Sequence, residues 1–505
     1  MKARFFLPAK LGGVLLLGIL MGACQPLSVL EDDPGTDQPQ GTGDLPPQAS
    51  GAPTFSGQVA SILYENCTSC HRPGEAAPFP FLTYDQASKR ALQIADVTDM
   101  GYMPPWQAAQ GWGEFKHERR LSRREIEILW RWAEAGAPAG DLSQAPEPPR
   151  FTPGWKLGPP DLVLEMEKGY PVTEDGPDIY RHFVLPTGLT QDRYIRAVEF
   201  RPGARAVVHH ADYFLDVEGQ ARRFEDREEG VGFASMADAD FRARFLAGWA
   251  PGANPNVLPE GLAWKLEAGS DIVLQIHFHP SGKPEVERSK LGLYFADQPP
   301  QRRFAEVMVP PYFGLMAGLD IAPGENDFVI RDSFTLPVDV EAFAINGHAH
   351  YLGKEFKAWA VLPSGERIKL LWIPDWEFGW QEQYHYCNML PLPAGTRVEA
   401  EIHYDNSADN PSNPHYPPRR VTWGPYSFDE MGSVSLMVTP SRSGDFEELQ
   451  AAIDAEWDRQ FERFSNSAET REAFQRFLLQ RFDADGDGQL TGREKEEHDA
   501  YVADL

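Results

Sequence analysis

The stretch DIVLQIHFH, residues 271–279, decides how the fold is read. It is a short apolar run that breaks into alternation at His277-x-His279, and it reads as a β-strand. Runs of the same kind recur from Asp161 to Thr439: DLVLEM, IRAVEF, LGLYF, VEAFAINGHAH, RVEAEIHY and GSVSLMV, separated by Gly and Pro turns. Many short strands at this spacing predict antiparallel β-sandwiches, and the length suits two. The composition agrees: 505 residues with 44 Gly, 44 Pro and 12% aromatics fit a turn-rich β protein. One segment, MADADFRARFLAGW near residue 240, reads as a helical insertion. The expected fold is mainly β, with two antiparallel, jelly-roll-like sandwich domains at 161–300 and 301–440. A small all-α domain at 54–140 and a Pro-rich linker at 141–160 precede them, and a helical tail at 441–505 follows.

Six of the 13 histidines fall in three clusters: His209–His210, His277-x-His279 and His348-x-His350. An H-x-H pair on a strand puts both imidazoles on one face, placed to chelate one ion. The adjacent pair in VVHHADYF, residues 207–214, poses the opposite problem. Successive strand side chains point to opposite faces, so His209 and His210 should not share a partner. Three clusters in one β-rich unit favour a metal over scattered surface histidines. Imidazole suits zinc, copper, nickel and iron alike, so the histidines do not choose among them.

The formal net charge is −28, from 75 acidic and 47 basic residues, which excludes nucleic acid as a partner. Lys2, Arg4 and Lys10 precede the apolar LGGVLLLGILM, which is too short to span a bilayer and reads as an export signal over residues 1–23. The following Gly-Ala-Cys resembles a bacterial lipobox, which would leave Cys24 lipidated, with ordinary signal cleavage nearby as the alternative. Gln25, in place of an acidic retention signal, points to a lipid anchor in the outer membrane of a Gram-negative cell, on its periplasmic side or at the surface. Residues 24–53 read as a flexible linker.

ENCTSCHRPG carries Cys67-x-x-Cys70-His71, the attachment spacing of haem c. Two thiols on one helical turn can form thioethers, and the next histidine can face the iron. A zinc half-site or a short disulfide would use the same residues, but export favours haem. MGYMPPW offers Met100 and Met103 as a distal thioether, and Met103 is preferred because its Met-Pro-Pro turn resembles the ligand loop of class I cytochromes c. LSRREIEILWRWAEAGAP then opens like a capped amphipathic helix. Near the other end, DADGDGQLTGRE, residues 483–494, spells an EF-hand calcium loop. Asp483, Asp485, Asp487 and Thr491 supply side chains, Gln489 a carbonyl and Glu494 two oxygens. A solvated acidic loop is the plain alternative. With a single loop evident, a structural calcium is expected rather than a sensor.

HHADYF, LQIHFH, HAHYLGKEF and SFDEMGSVSL occur in the order of the copper type II, ascorbate-dependent monooxygenases, and residues 160–440 resemble that family. It includes the peptidylglycine α-hydroxylating and dopamine β-monooxygenases. The resemblance implies two sandwiches facing each other across a solvent-filled cleft, with one copper ion on each. It makes His209, His210 and His277 the ligands of an electron-storing copper, so a bulge or strand end must defeat the alternation noted above. It gives the oxygen-binding copper His348, His350 and Met431, whose soft thioether stabilises Cu(I). His279 has no counterpart there. Asn346 stands where peptide-amidating members carry a carboxylate-anchoring arginine, and Ser435 replaces a tyrosine, which speaks against a peptidylglycine substrate. The implied activity is hydroxylation of a C–H bond of a small organic substrate with O2. Electrons would come from an ascorbate-like reductant or a periplasmic carrier, through the attached haem. The alternative is a noncatalytic copper- and haem-binding electron-transfer protein on the same scaffold. The aromatic stretch LLWIPDWEFGWQEQYHY, 370–386, is either strand core or the wall of an apolar substrate pocket.

Overall fold

The computed structural model describes residues 51–75, 77–151, 154–176, 178–234, 243–424 and 427–466, with residues 479, 489, 491, 492 and 495 individually. The export signal, Cys24, and Asp483, Asp485, Asp487 and Glu494 of the calcium loop lie outside them; Gln489 and Thr491 are exposed.

The architecture is mostly β, in two sandwich-like regions flanked by helical segments. In the first region, Ile179–Pro186, Asp271–Phe278, Val208–Asp216 and Arg244–Trp249 form one antiparallel sheet in that order. The facing sheet runs Leu162–Glu165, Lys290–Phe295, Arg193–Arg201, Asn256–Val257, with Trp264–Leu266 also on Arg193–Arg201. Asp271–Phe278 is nearly all buried because it is central and covered on both faces. Ile272, Leu274, Ile276 and Phe278 enter the sandwich core. Val273 packs on the opposite face, against Phe233 and the short helix Gln220–Glu225. His277 shares the parity of Val273, so the strand period alone directs it outward from its own sandwich.

The second region pairs the sheet Ala305–Val309, Gly432–Pro440, Val340–Ala349, Tyr384–Leu392 with the sheet Phe328–Thr335, Arg397–Tyr404, Gly353–Val361, Arg367–Ile373. A register shift between Ala342 and Ala344 changes the facing of Val340–Ala349. Beyond it, Ile345 and Ala349 join the second core, while Phe343 and Ala344 pack with the first sandwich's cluster. His348 has the parity of Ala344 and leaves its sandwich on that same side.

The N-terminal helices Phe55–Val59, Ala60–Asn66, Tyr84–Ser88, Ala91–Asp99 and Arg123–Glu134 share a core built around Trp132, Phe55 and Leu129. Ser122 caps the last of these with the expected capping box to Glu125. At the other end, Phe446–Asn466 buries Leu449 and Ile453 in the second core. Among the described residues, no helix is long and apolar enough to cross a membrane.

Three expectations need correction. Arg244–Trp249, read as part of a helical insertion, is a strand paired with Val208–Asp216, because the free edge of that sheet outweighs its local helix propensity. Residues 104–120 do not stay with the helices. They lie on the second sandwich as a strap, where the Ala109 amide donates to Trp372 O at 2.7 Å and the Cys387 amide to Glu114 O at 2.8 Å. The expected linker is also docked, with the Lys156 and Leu157 amides donating to Glu199 at 2.7 and 3.2 Å.

Candidate metal centre

The strand Val208–Asp216 resolves the problem of the adjacent histidines. Val208 pairs with Phe278 and His210 with His277, and the register shift between them leaves His209 as the inserted residue of a bulge. His209 therefore has no place in the alternation, and its imidazole swings to the side of His210. The result is a cluster in which one ligand atom from each of His209, His210 and His277 lies within 4.8 Å of the others. Nδ1 of His277 is 3.1 Å from Nδ1 of His209 and 3.3 Å from Nδ1 of His210.

Which nitrogen is bare follows from the outer partners. His277 Nε2 donates to Asp178 Oδ2 at 2.7 Å, so its Nδ1 carries the lone pair. Asp178 also accepts from His279 Nδ1 at 2.8 Å and from the Tyr351 hydroxyl at 3.2 Å. Although burial pushes the other way, its bonds to His277 and His279 hold the Asp178 carboxyl well below the usual carboxylate range. The Tyr180 ring stacks on His277 at 4.3 Å and fixes the imidazole plane. Burial, then the neighbouring His277, pushes His209 down to about 4, and burial holds His210 well below its ordinary value. Both are neutral and able to ligate near pH 7. Nitrogens bound to a small divalent ion at 2.0–2.1 Å in tetrahedral array sit about 3.3 Å apart. The two close nitrogen separations fit that spacing. His279 is 68% exposed and contributes through Asp178, not to the cluster.

His348 and His350 form the second group, with ring centroids 5.3 Å apart. His348 Nδ1 donates to Gln381 Oε1 at 2.7 Å, which leaves its Nε2 as the acceptor nitrogen, and His350 Nδ1 donates to Asp429 O at 3.2 Å. Burial pushes His348 down to about 4. Ala349 pairs with Gly432, and continuing that register sets Met431 opposite His350. Glu430, fully buried, accepts from the amides of Leu352 and Met431 at 2.9 Å each and from the amide of His350. The Tyr404 hydroxyl donates to Met431 O at 3.0 Å. Glu430 thus straps the histidine turn to the methionine turn.

The two histidine groups face each other across one ring. Phe378 is buried, 6.0–6.3 Å from the three rings of the first cluster and 5.7 Å from His350. The resemblance implies a solvent-filled cleft here; the buried Phe378 packs against rings of both groups. Gln107 of the strap pins the turn that carries it, donating to Glu377 O and Trp380 O at 3.0 and 2.8 Å. The two ends of the aromatic stretch 370–386 are strand core, Leu370, Leu371, Tyr384 and Tyr386 among them, and 374–383 form the connection between those strands.

No family model matches the chain, and no curated protein matches it either. Among solved structures, PNGF-II is 11% identical over 55% of this chain and 65% of its own, with a TM-score of 0.24. The infectious bursal disease virus VP2 subviral particle is 10% identical over 58% of this chain and 75% of its own, TM-score 0.16. Procruciferin, the 11S globulin of Brassica napus, is 9% identical over 55% and 83%, TM-score 0.12. The chain spans just under two thirds of PNGF-II. Likeness at this level bears on neither activity nor ligand.

At the helical end, Cys67 and Cys70 are unbonded thiols, which removes the short disulfide. Burial, then Cys70 and Glu125, pushes the Cys67 thiol up to about 12. His71 Nδ1 donates to Phe79 O at 2.9 Å, leaving Nε2 bare, and its ring stacks on Phe81 at 4.4 Å. Met100 is 72% exposed, whereas Met103 is partly buried. Cys70 Sγ lies beside Gly252 of the first sandwich, where an added Cβ would sit 2.8 Å from the sulfur.

Asp178, Phe378, Gln381 and Glu430 were not legible as site residues. Glu430 lay inside the DEM motif, and Phe378 and Gln381 inside the aromatic stretch offered as a pocket wall; Asp178 reaches the site through tertiary contacts alone.

Proposed function

We propose that this chain is an exported copper-dependent monooxygenase carrying its own c-type haem module. The observation that supports it most is the convergence of one ring nitrogen from each of His209, His210 and His277, with Phe378 in ring contact with all three and with His350. When bound, copper ions would supply one-electron storage at His209, His210 and His277 and a place for dioxygen at His348, His350 and Met431. The overall change balances as one C–H bond and O2, with two electrons and two protons, giving an alcohol and water. The chain's own part is to orient His277 through Asp178, His348 through Gln381 and His350 through the Asp429 carbonyl. Cys67, Cys70 and His71 have the donors and the free Nε2 that a haem c requires, and the partly buried Met103 favours it over Met100 as second ligand. Calcium at 483–494 and the lipid anchor at Cys24 rest on their motifs.

Copper analysis of the purified protein, paired with oxygen uptake over a panel of small organic compounds, tests the reading. Two copper ions and substrate-dependent uptake are expected; copper without uptake would mark an electron carrier instead. Met431→Ala should keep the His209/His210/His277 copper, seen by electron paramagnetic resonance, while abolishing uptake. Unchanged turnover in that variant would remove the methionine from the site.

A further inference from the structure

A cavity of about 440 Å³ lies where the strap, the first sandwich and the second sandwich meet. That volume is in the range of small-molecule sites, roughly 300–1,000 Å³. Its wall includes Lys116 and His117 from the strap, and Gln381, Tyr384 and His385 from the second sandwich. The Lys116 amide donates to His385 O at 2.8 Å, which sets the strap's basic residues beside His385. His117 holds a left-handed backbone, φ 59°, a conformation that non-glycine residues keep mainly at turns and functional sites.

The charge pattern is what singles this cavity out. Burial, then the neighbouring Lys116 and His117, pushes His385 down to about 4. Its imidazole is therefore a neutral hydrogen-bonding group beside two basic side chains. Two lining carboxylates could neutralise them, and neither does so here. Glu382 is engaged by Arg119, and Glu260 is exposed and makes no ion pair. Lys116 and His117 are exposed and line the cavity, and among the described residues no ion pair engages either, so both are available to an anion there. Trp106 and Tyr384, edge to face at 5.1 Å, supply an aromatic wall. Gln381 closes the side nearest the histidines: its Oε1 accepts from His348, while its buried Nε2 has no hydrogen-bond partner.

We propose that this cavity binds a small organic carboxylate with an apolar, aromatic-sized body, the anion on Lys116, His117 and His385 and the body against Trp106 and Tyr384. As a binding site it stands without copper; as the substrate site it rests on the monooxygenase reading. Gln381 joins the two, because the residue lines the cavity and its Oε1 accepts from His348.

Isothermal titration of the full-length, metal-free protein tests this with phenylacetate, hexanoate, phenylacetamide and phenethylamine as probes. Saturable binding of phenylacetate is expected, at least about tenfold tighter than phenylacetamide or phenethylamine, as a lost charge-assisted bond implies. The double variant Lys116→Gln/His117→Gln should lose about the same factor with its thermal midpoint unchanged, and Lys116→Arg should retain binding. Equal binding of phenethylamine, full binding in the double variant, or no saturation with either carboxylate overturns the proposal. Oxygen uptake separates the two readings. Carboxylate binding without uptake in the copper-loaded protein leaves the cavity and removes the monooxygenase, and uptake driven by phenethylamine does the reverse.

Discussion

Asp178 shows how much a single side chain can organise. It lies 99 residues from His277 in sequence and 173 from Tyr351, yet bonds both, so it ties the first cluster to the turn after His350. Removing an outer partner of this kind costs about 10–100-fold in metal affinity. Asp178→Ala should show that loss for the His209/His210/His277 ion in a competitive chelator titration, and an unchanged affinity would make the carboxylate a bystander. His182 carries a different consequence. Burial, opposed by its bond to Phe233, pushes this imidazole down to about 3, so it is neutral in the fold. The unfolded chain takes up a proton below its ordinary value of about 6.5, which the folded chain does not. Stability therefore falls as pH drops from about 6.5 towards 3, by at most ~1.4 kcal/mol per pH unit from this group. In urea unfolding at pH 6.5, 5.5 and 4.5, His182→Gln should flatten the acid slope by about that amount. An equally steep slope would put the acid sensitivity elsewhere.

At the scale of elements, local rules and tertiary context divide cleanly. The helix Arg123–Glu134 is specified locally: the Ser122 hydroxyl accepts from the Glu125 amide, and the Glu125 carboxylate accepts from the Ser122 amide. Ser122→Ala should cost about 1 kcal/mol, read as a lower unfolding midpoint of the helical segment, with no change at the histidine clusters. Arg244–Trp249 is the opposite case. Its residues carry a helical pattern in isolation, but the unpaired edge beside Val208–Asp216 offers a ladder of hydrogen bonds and burial for Leu246 and Ala247. The bulge at His209 belongs with it. Nothing in VVHHADYF announces an inserted residue, because a bulge is a property of two paired strands and of neither alone.

For the whole molecule, the main consequence of the assembly is proximity. The helical segment reaches both sandwiches: Cys70 touches the first beside Gly252, Glu75 pairs with Arg205, and the strap covers the second as far as the turn bearing Phe378. On the proposed function, a haem on Cys67 and Cys70 is docked against the copper-bearing body instead of swinging on a tether. Rapid anaerobic mixing of haem-reduced, Cu(II)-loaded protein should therefore show haem reoxidation at a rate independent of protein concentration. A haem that stays reduced, with Cys67→Ala/Cys70→Ala turning over normally on ascorbate, would end its role as donor.

The sequence by itself determined the strands, their period, the capped helix, the Cys67-x-x-Cys70-His71 spacing and the three histidine clusters. Each of these is set by residues close together in the chain, where rotation per residue and turn chemistry act. Only the tertiary structure decided that a bulge at His209 brings it beside His210, that Asp178 orients His277, that Phe378 packs against both groups, and that the strap, with its basic pair, closes a cavity over the second sandwich. Those outcomes depend on pairing register and on contacts between distant segments, which no local pattern encodes.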